Sequence, residues 1–193
     1  MQKEGRRLDQ TRILDVGCGV GKIHAHLRGK AAAIAGVDVS GASLEVARES
    51  YPEIDYKTYD GSRLPYPDNS FDLSMAICVF HHVPPGEWAE LSREMMRVVR
   101  PGGLTLVIEH NPYNPVTRRI VNSCPLDRDA VLISPAKIRK FFCAAGGSDV
   151  LTRTILSVPP KTAWLKWIDS ALGCMPFGAQ YYLLAEKSAP NIS

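Results

Sequence analysis

The feature that most constrains the fold is a short apolar segment that runs directly into three alternating glycines. Residues 12–16 (RILDV) have the composition of a buried β-strand, and residues 17–21 (GCGVG) follow them without a break. Glycines at alternate positions allow the backbone to turn tightly and to approach a ligand closely. Residues 22–28 suit a helix, whose free N–H groups favour an anionic or electron-rich group. The sequence therefore predicts a strand, a ligand-binding turn and a helix.

Predicted strands and helices alternate along the remaining chain. Later strands are predicted over 32–37, 54–59, 71–80, 104–109, 150–158 and 180–186, and helices over 41–50, 87–99 and 135–145. The central strands are apolar without period-two alternation, which is typical of a parallel sheet buried on both faces. The fold class is therefore α/β, a Rossmann-like doubly wound sheet, in which ligands bind at the carboxyl ends of the strands.

The glycine turn fits neither of the two common nucleotide-binding patterns. The dinucleotide fingerprint requires a third glycine where Lys22 stands. A phosphate-binding P-loop requires glycine at Val16 and Ser or Thr at Ile23. Asp38 ends the second strand, roughly twenty residues after the turn, where an acidic side chain accepts both ribose hydroxyls. Its alternative role is to complement the dipole of the next helix.

Four segments resemble a known enzyme family. Residues 13–21 (ILDVGCGVG) look like motif I of the class I S-adenosylmethionine-dependent methyltransferases. Residues 60–72, 80–83 and 98–103 are similar in order and spacing to the small-molecule, type 11 branch. The resemblance implies a three-layer fold with a seven-stranded sheet of order 3-2-1-4-5-7-6 and an antiparallel last strand. The length of 193 residues predicts a single domain over 1–193, in which residues 12–110 would form the cofactor-binding core. The segments 111–133 and 159–178 are expected to be irregular and to serve as substrate or lid insertions.

The resemblance also implies roles for individual residues. The cofactor would be S-adenosyl-L-methionine and the product S-adenosyl-L-homocysteine. The resemblance implies that the aminoacyl end of the cofactor is bound by Asp15, Gly17, Cys18 and Gly19, and its ribose by Asp38 and Val39. It implies that the adenine is bound by Asp60 and Gly61, and that the methionine part lies near Cys78 and Val79. Simpler structural roles stay open for three of these residues: Asp15 could stabilise the turn, Asp60 could cap the following loop, and Cys78 could pack in the core without contacting the cofactor.

Several histidines fall at strand ends that face the predicted cleft. Methyl transfer from a sulfonium depends mostly on positioning and desolvation, although a carbon or oxygen acceptor can require a general base. Histidine suits that role by its pKa. Two adjacent histidines seldom face one pocket, so His81 is the first candidate for catalysis rather than His82, and His110 is the second. No metal site is predicted.

Composition and charge limit the classes of acceptor and the cellular location that we expect for this protein. The net charge of +3 is too small to require nucleic acid, so a small-molecule or lipid- or saccharide-linked acceptor is favoured. Five widely spaced cysteines without a CxxC pair indicate reduced thiols. Because no signal peptide or membrane-spanning run is found, we expect a cytoplasmic methyltransferase. Two alternatives remain, a nicotinamide-dependent oxidoreductase and a non-catalytic module that binds S-adenosylmethionine; the oligomeric state is open.

Overall fold

Seven strands and five α-helices form the part of the chain that the structure, a computed structural model, describes: residues 7–155 and 178–189. The strands are β1 (Arg12–Val16), β2 (Ala33–Asp38), β3 (Asp55–Thr58), β4 (Phe71–Ile77), β5 (Val99–His110), β6 (Gly147–Ile155) and β7 (Gln180–Lys187). The helices are α1 (His24–Leu27), α2 (Gly41–Ser50), α3 (Trp88–Val98), α4 (Pro115–Ser123) and α5 (Pro135–Ala144).

The strands form one sheet in the order β3-β2-β1-β4-β5-β7-β6. The first five strands pair in parallel, and β7 lies antiparallel between β5 and β6. The predicted fold class, strand order and antiparallel last strand are therefore confirmed. The order reverses beside β1, so the carboxyl ends of β1 and β4 open the crevice in which ligands of such sheets bind.

Apolar side chains on both faces of the sheet pack under helices. Along β2, Ala35 and Val37 belong to the core under α3 and α5, whereas Ile34 packs with the smaller core under α2. Successive strand residues point to opposite faces, so these two cores lie on opposite sides of the sheet. This three-layer arrangement explains why the central strands are apolar on both faces.

Polar caps fix where the predicted helices begin. The Ser40 side chain accepts a hydrogen bond from the Ser43 amide at 3.2 Å, and Ser134 does the same for Lys137 at 3.3 Å. A side-chain oxygen at this position satisfies an amide that the helix itself leaves unpaired. Both helix starts agree with the sequence prediction to within one residue.

Three predicted boundaries are wrong by three residues or more. The sixth strand begins at Gly147 rather than at Val150, because Gly147 and Ser148 already pair with β7 before the register shifts. The fourth strand ends at Ile77 rather than at Phe80, because Cys78 has a left-handed φ of +57° and the chain then forms a 3-10 turn over Phe80–His82. The fifth strand begins at Val99 rather than at Leu104, because Val99 pairs with Phe71 before the register shifts. The correction to the fourth strand changes the site, since the two histidines after Phe80 lie on a 3-10 turn rather than directly at the end of a strand.

The segment 111–133, expected to be irregular, contains α4. Asn114 caps this helix by accepting hydrogen bonds from Val116 and Thr117, and Pro115 occupies its first turn. An Asn-Pro pair is a recognisable helix start, so the signal was present in the sequence. The other predicted insertion, 159–178, lies outside the described residues except for Gly178. Among the helices that the structure describes, none is long and apolar enough to cross a membrane.

Candidate active site

The glycine turn after β1 is held against the end of β2. The amides of Gly17 and Cys18 both donate to the carbonyl oxygen of Val37, at 2.8 and 3.0 Å. Gly17 has φ +70°, and a Cβ there would lie 2.6 Å from Cγ2 of Val79. Gly19 has φ +52°, and the position of its missing Cβ is open, with nothing within 4 Å. The turn therefore needs glycine for its backbone and presents that backbone to open space.

Asp38 connects this turn to the start of α2. Its Oδ2 accepts from the Gly19 amide at 2.7 Å, and its Oδ1 accepts from the Ser40 amide at 2.9 Å. A carboxylate has about four lone-pair positions, so two such bonds leave acceptor capacity on both oxygens. Asp38 therefore shapes the turn and can still accept hydrogen bonds from a diol.

Beneath the turn lies a buried polar group that the sequence did not indicate. Nε2 of His24 lies 3.0 Å from Oδ2 of Asp15, and Nδ1 of His24 lies 2.7 Å from the Tyr56 hydroxyl. Burial raises the pKa of Asp15, and the hydrogen bond from His24 partly opposes that shift. His24 therefore fixes the orientation of the Asp15 carboxylate, whose other side borders a cavity.

Two cavities meet at Gly17. We call them the turn cavity, of about 470 Å³, and the strand-end cavity, of about 430 Å³. All ten residues predicted to bind the cofactor line one or the other. The turn cavity contains Asp15, Gly17, Cys18 and Gly19, and the strand-end cavity contains Asp38, Val39, Asp60, Gly61, Cys78, Val79 and again Gly17.

At the far side of the strand-end cavity, Asp60 is exposed on a loop. Its Oδ1 accepts from both the amide and the hydroxyl of Ser62, at 2.9 and 2.7 Å, which lowers the pKa of Asp60. Gly61 follows with φ +89°, and the exposed Val39 lies near it across the opening. An apolar side chain beside polar acceptors suits a flat heteroaromatic ring.

The third side of the site is the turn after β4. Glu109, which is 1% exposed at the end of β5, accepts from the Val79 and Phe80 amides through Oε1 at 2.8 and 2.7 Å. Its Oε2 lies 2.7 Å from Nδ1 of His81. Glu109 therefore fixes both the turn backbone and the His81 ring. Sequence analysis did not identify this role of Glu109.

The two adjacent histidines, His81 and His82, differ in exposure and in the direction of their pKa shifts. His81 is 2% exposed, whereas His82 lines the strand-end cavity. Burial lowers the pKa of His81, but the hydrogen bond and charge of Glu109, with Asp127, more than offset this, so its pKa is raised. Burial, followed by the charge of His81, lowers the pKa of His82 and of the half-buried His110. His81 and His110 stay predictions as catalytic residues, and His82 is the residue among these three that lines the strand-end cavity.

Comparisons with known proteins agree on the family. Residues 14–107 match the sequence profile described as "Methyltransferase domain", type 11. "Methyltransferase GfsG" of Streptomyces halstedii is 42% identical over 107 residues, which cover 50% of this chain and 38% of that protein. A demethylmenaquinone methyltransferase of Chlorobaculum parvum is 32% identical over 121 residues, 62% of this chain and 48% of that protein. The chain thus spans about half the length, or less, of these relatives.

Solved structures agree on the fold. An S-adenosylmethionine-dependent methyltransferase of Thermotoga maritima, described as a possible histamine N-methyltransferase, superposes with a TM-score of 0.71 at 17% identity, covering 93% of this chain and 83% of that one. A second, from Mesorhizobium loti, gives 0.69 at 20% identity, covering 95% and 94%. S-adenosyl-L-methionine is the cofactor that this family and fold imply. The chain belongs to the type 11 branch of the class I S-adenosylmethionine-dependent methyltransferases.

Proposed function

We propose that this protein transfers a methyl group from S-adenosylmethionine to a small-molecule or lipid- or saccharide-linked acceptor. The observation that supports this most is the pair of cavities that meet at Gly17. Three carboxylates line these two cavities at the ends of β1, β2 and β3: Asp15 lines the turn cavity, and Asp38 and Asp60 line the strand-end cavity. Neighbouring cavities with these acceptors suit a ligand that has an amine, a sugar and a base.

The residues present fit the cofactor. Asp38 keeps acceptor capacity for the ribose diol, and the open side of Gly19 leaves room for close approach to the backbone. Asp15 would orient the amino group of the methionine part, and Asp60 with the Gly61 amide would bind the adenine edge. When bound, S-adenosylmethionine supplies a methyl group on a positively charged sulfur, which is a good leaving group. The protein's main task is therefore to position the acceptor and exclude water.

The acceptor side is proposed to be the part of the strand-end cavity near His82. Its wall there includes the apolar residues Val83, Pro84 and Leu91 together with the charged Glu87. His82 would contact the acceptor, with His81 and His110 behind it: the His81 ring centroid lies 4.1 Å from that of His82 and 5.0 Å from that of His110. The segment 111–133 is proposed to border this side, since the Val131 amide donates to the His81 carbonyl oxygen at 2.8 Å.

The relatives favour a lipid-linked ring as one acceptor to examine first. One is the demethylmenaquinone methyltransferase, and another, 26% identical over 201 aligned positions, is a 2-methyl-6-phytyl-1,4-hydroquinone methyltransferase of Synechocystis. That second alignment covers 94% of this chain and 62% of that protein. With a charge of +3 we propose no nucleic-acid acceptor, and we propose the cytoplasm as the location.

The proposal is tested with methyl-labelled S-adenosylmethionine and a panel of phenols, hydroquinones with and without a prenyl chain, aliphatic alcohols and sugars. We expect label in one acceptor class together with an equal amount of S-adenosylhomocysteine, and loss of both in Asp38→Ala. A protein that binds S-adenosylhomocysteine but labels none of these classes would instead favour the non-catalytic module. Oxidation of NADH with any of them would favour the oxidoreductase.

A further inference from the structure

We propose that His81, His82 and Asp127 bind a divalent transition-metal ion beside the strand-end cavity. One ligand atom from each of the three residues lies within 4.8 Å of the others. Oδ1 of Asp127 is 3.6 Å from Nε2 of His81 and 3.6 Å from Nε2 of His82. Ligand atoms around a tetrahedral zinc ion, at bond lengths of about 2.0–2.1 Å, are about 3.3 Å apart. The two distances to Asp127 exceed this value by about 0.3 Å, and the separation of the two histidine ligand atoms is at most 4.8 Å, so rotation of the side chains would bring the three together.

The orientation of His81 is that of a metal ligand. Its Nδ1 lies 2.7 Å from Glu109, and a carboxylate only accepts, so Nδ1 carries the proton of this hydrogen bond. In the neutral ring the lone pair is then on Nε2, which faces another acceptor, the Asp127 oxygen. Two acceptors that face each other require a cation or a proton between them. Metal-binding histidines almost always donate their second N–H to a carboxylate or carbonyl in this way.

The backbone holds the third ligand in place. Asp127 lies in a short 3-10 turn (Pro125–Asp127), 45 residues after His82 in the chain. Four residues later, the Val131 amide donates a hydrogen bond to the His81 carbonyl oxygen at 2.8 Å, which holds this segment beside the histidines. His81 is 2% exposed, and the side chain of Asp127 is 16% exposed. The His82 side chain is 49% exposed, so an ion could enter from its side. The cluster thus combines a buried, oriented ligand with an open path.

The donor set indicates the class of metal. Two imidazole nitrogens and one carboxylate suit zinc, cobalt, iron or manganese rather than calcium or magnesium, which prefer oxygen ligands. Three protein ligands leave at least one coordination position open, as in catalytic rather than structural sites. His82 also lines the strand-end cavity, so an oxygen of the acceptor could occupy that position. This last role rests on the proposed function, whereas metal binding itself does not.

The test is a titration of tag-free, chelator-treated full-length protein with Co²⁺, followed by visible absorption and repeated with Zn²⁺ by calorimetry. We expect one equivalent to bind, with the d–d absorption of a four- or five-coordinate site. His82→Gln and Asp127→Asn should each weaken binding at least tenfold. Glu109→Gln should weaken it about 10- to 100-fold, because an outer-shell partner is lost. The matched control is Asp129→Asn, an exposed aspartate on the same segment, which should bind as the unmodified protein does.

The alternative outcomes are distinct. The proposal would be overturned if the cobalt absorption were absent, or if it were unchanged in His82→Gln and Asp127→Asn. A proton on His81 would then balance the charge of the Asp127 carboxylate. An absorption lost after alkylation of the cysteines, with the histidines intact, would also overturn it. Circular dichroism of each variant checks that it is folded, and His82→Gln changes a half-exposed residue. Binding of S-adenosylhomocysteine by the same samples tests the proposed function separately.

Discussion

The carboxylate of Asp38 accepts a hydrogen bond from the backbone amide of Gly19 at 2.7 Å, so the ends of β1 and β2 are joined at the centre of the site. The same side chain bonds the Ser40 amide and thereby the start of α2. Asp38 thus shapes the turn that it would share with the cofactor. A change at this residue should affect the ligand and the turn together.

The conformation of Gly17 leads to a first prediction. Gly17→Ala adds a Cβ 2.6 Å from Val79 at φ +70°, whereas Gly29→Ala has the same φ of +70° with nothing within 4 Å. The left-handed conformation alone costs about 1–2 kcal/mol, and we expect that loss in Gly29→Ala. Gly17→Ala should lose a further 1–3 kcal/mol or so through overpacking. Urea unfolding measures both free energies.

A double variant separates the two causes. Val79→Ala removes the two methyl groups nearest the added Cβ, so Gly17→Ala/Val79→Ala should regain about 1 kcal/mol relative to the sum of the single variants. Additive effects would show that the clash contributes nothing and that backbone strain at Gly17 explains the whole loss.

Glu94 gives a prediction about pH. Its carboxylate accepts from the Leu64 amide at 2.8 Å and from Arg97 at 2.7 Å. Burial raises the pKa of Glu94, but Arg97 and the Leu64 amide more than offset this and hold it below its ordinary value of 4.5. The stabilisation is therefore complete above pH 4.5 and is lost as the pH falls through the lower, folded-state pKa. Glu94→Gln should cost about 2 kcal/mol at pH 7, and the difference from the unmodified protein should shrink below pH 4.5.

The control lies on the same helix. Glu90 forms an exposed ion pair with Arg93 at the same i,i+3 spacing. Glu90→Gln should change the free energy of unfolding by less than about 0.5 kcal/mol at either pH, because exposed pairs contribute little. Equal losses in Glu90→Gln and Glu94→Gln would mean that burial of the second pair has no effect.

The thiols should differ in reactivity. Burial raises the pKa of Cys78 to about 12, and it raises the pKa of the buried Cys18 as well, while Cys143 is exposed. Alkylation requires the thiolate, so iodoacetamide at pH 8 should modify Cys143 at least tenfold faster than Cys78 or Cys18. Peptide mass mapping over time measures the rates. Similar rates at Cys78 and Cys143 would contradict the burial of the Cys78 thiol.

Much of the fold could be predicted because its signals are local. The apolar run before Gly17 and the acid at Asp38 each lie within a few residues of the boundary that they define. The strand order came from the family resemblance, and the structure confirms it. The boundary error at Phe80 arose because nothing in the apolar run 71–80 indicates that Cys78 takes a positive φ.

The parts of the site that sequence analysis missed are contacts between distant residues. Tyr56 meets His24 from 32 residues away, and Glu109 meets His81 from 28. Asp127 lies 3.6 Å from both adjacent histidines, and the Val131 amide connects the same later segment to the His81 carbonyl oxygen. No spacing pattern in one sequence encodes such pairings, since they depend on tertiary packing.

The central claim is tested most directly by calorimetric titration of the purified protein with S-adenosylhomocysteine, with NADH as a parallel titrant. We expect binding of S-adenosylhomocysteine and none of NADH. Asp38→Asn should weaken that binding about 10- to 100-fold, which is about 1.4–2.7 kcal/mol. Glu49→Gln, an exposed change on α2, should leave it unaltered. Binding of NADH, or binding of S-adenosylhomocysteine that Asp38→Asn does not weaken, would contradict the account.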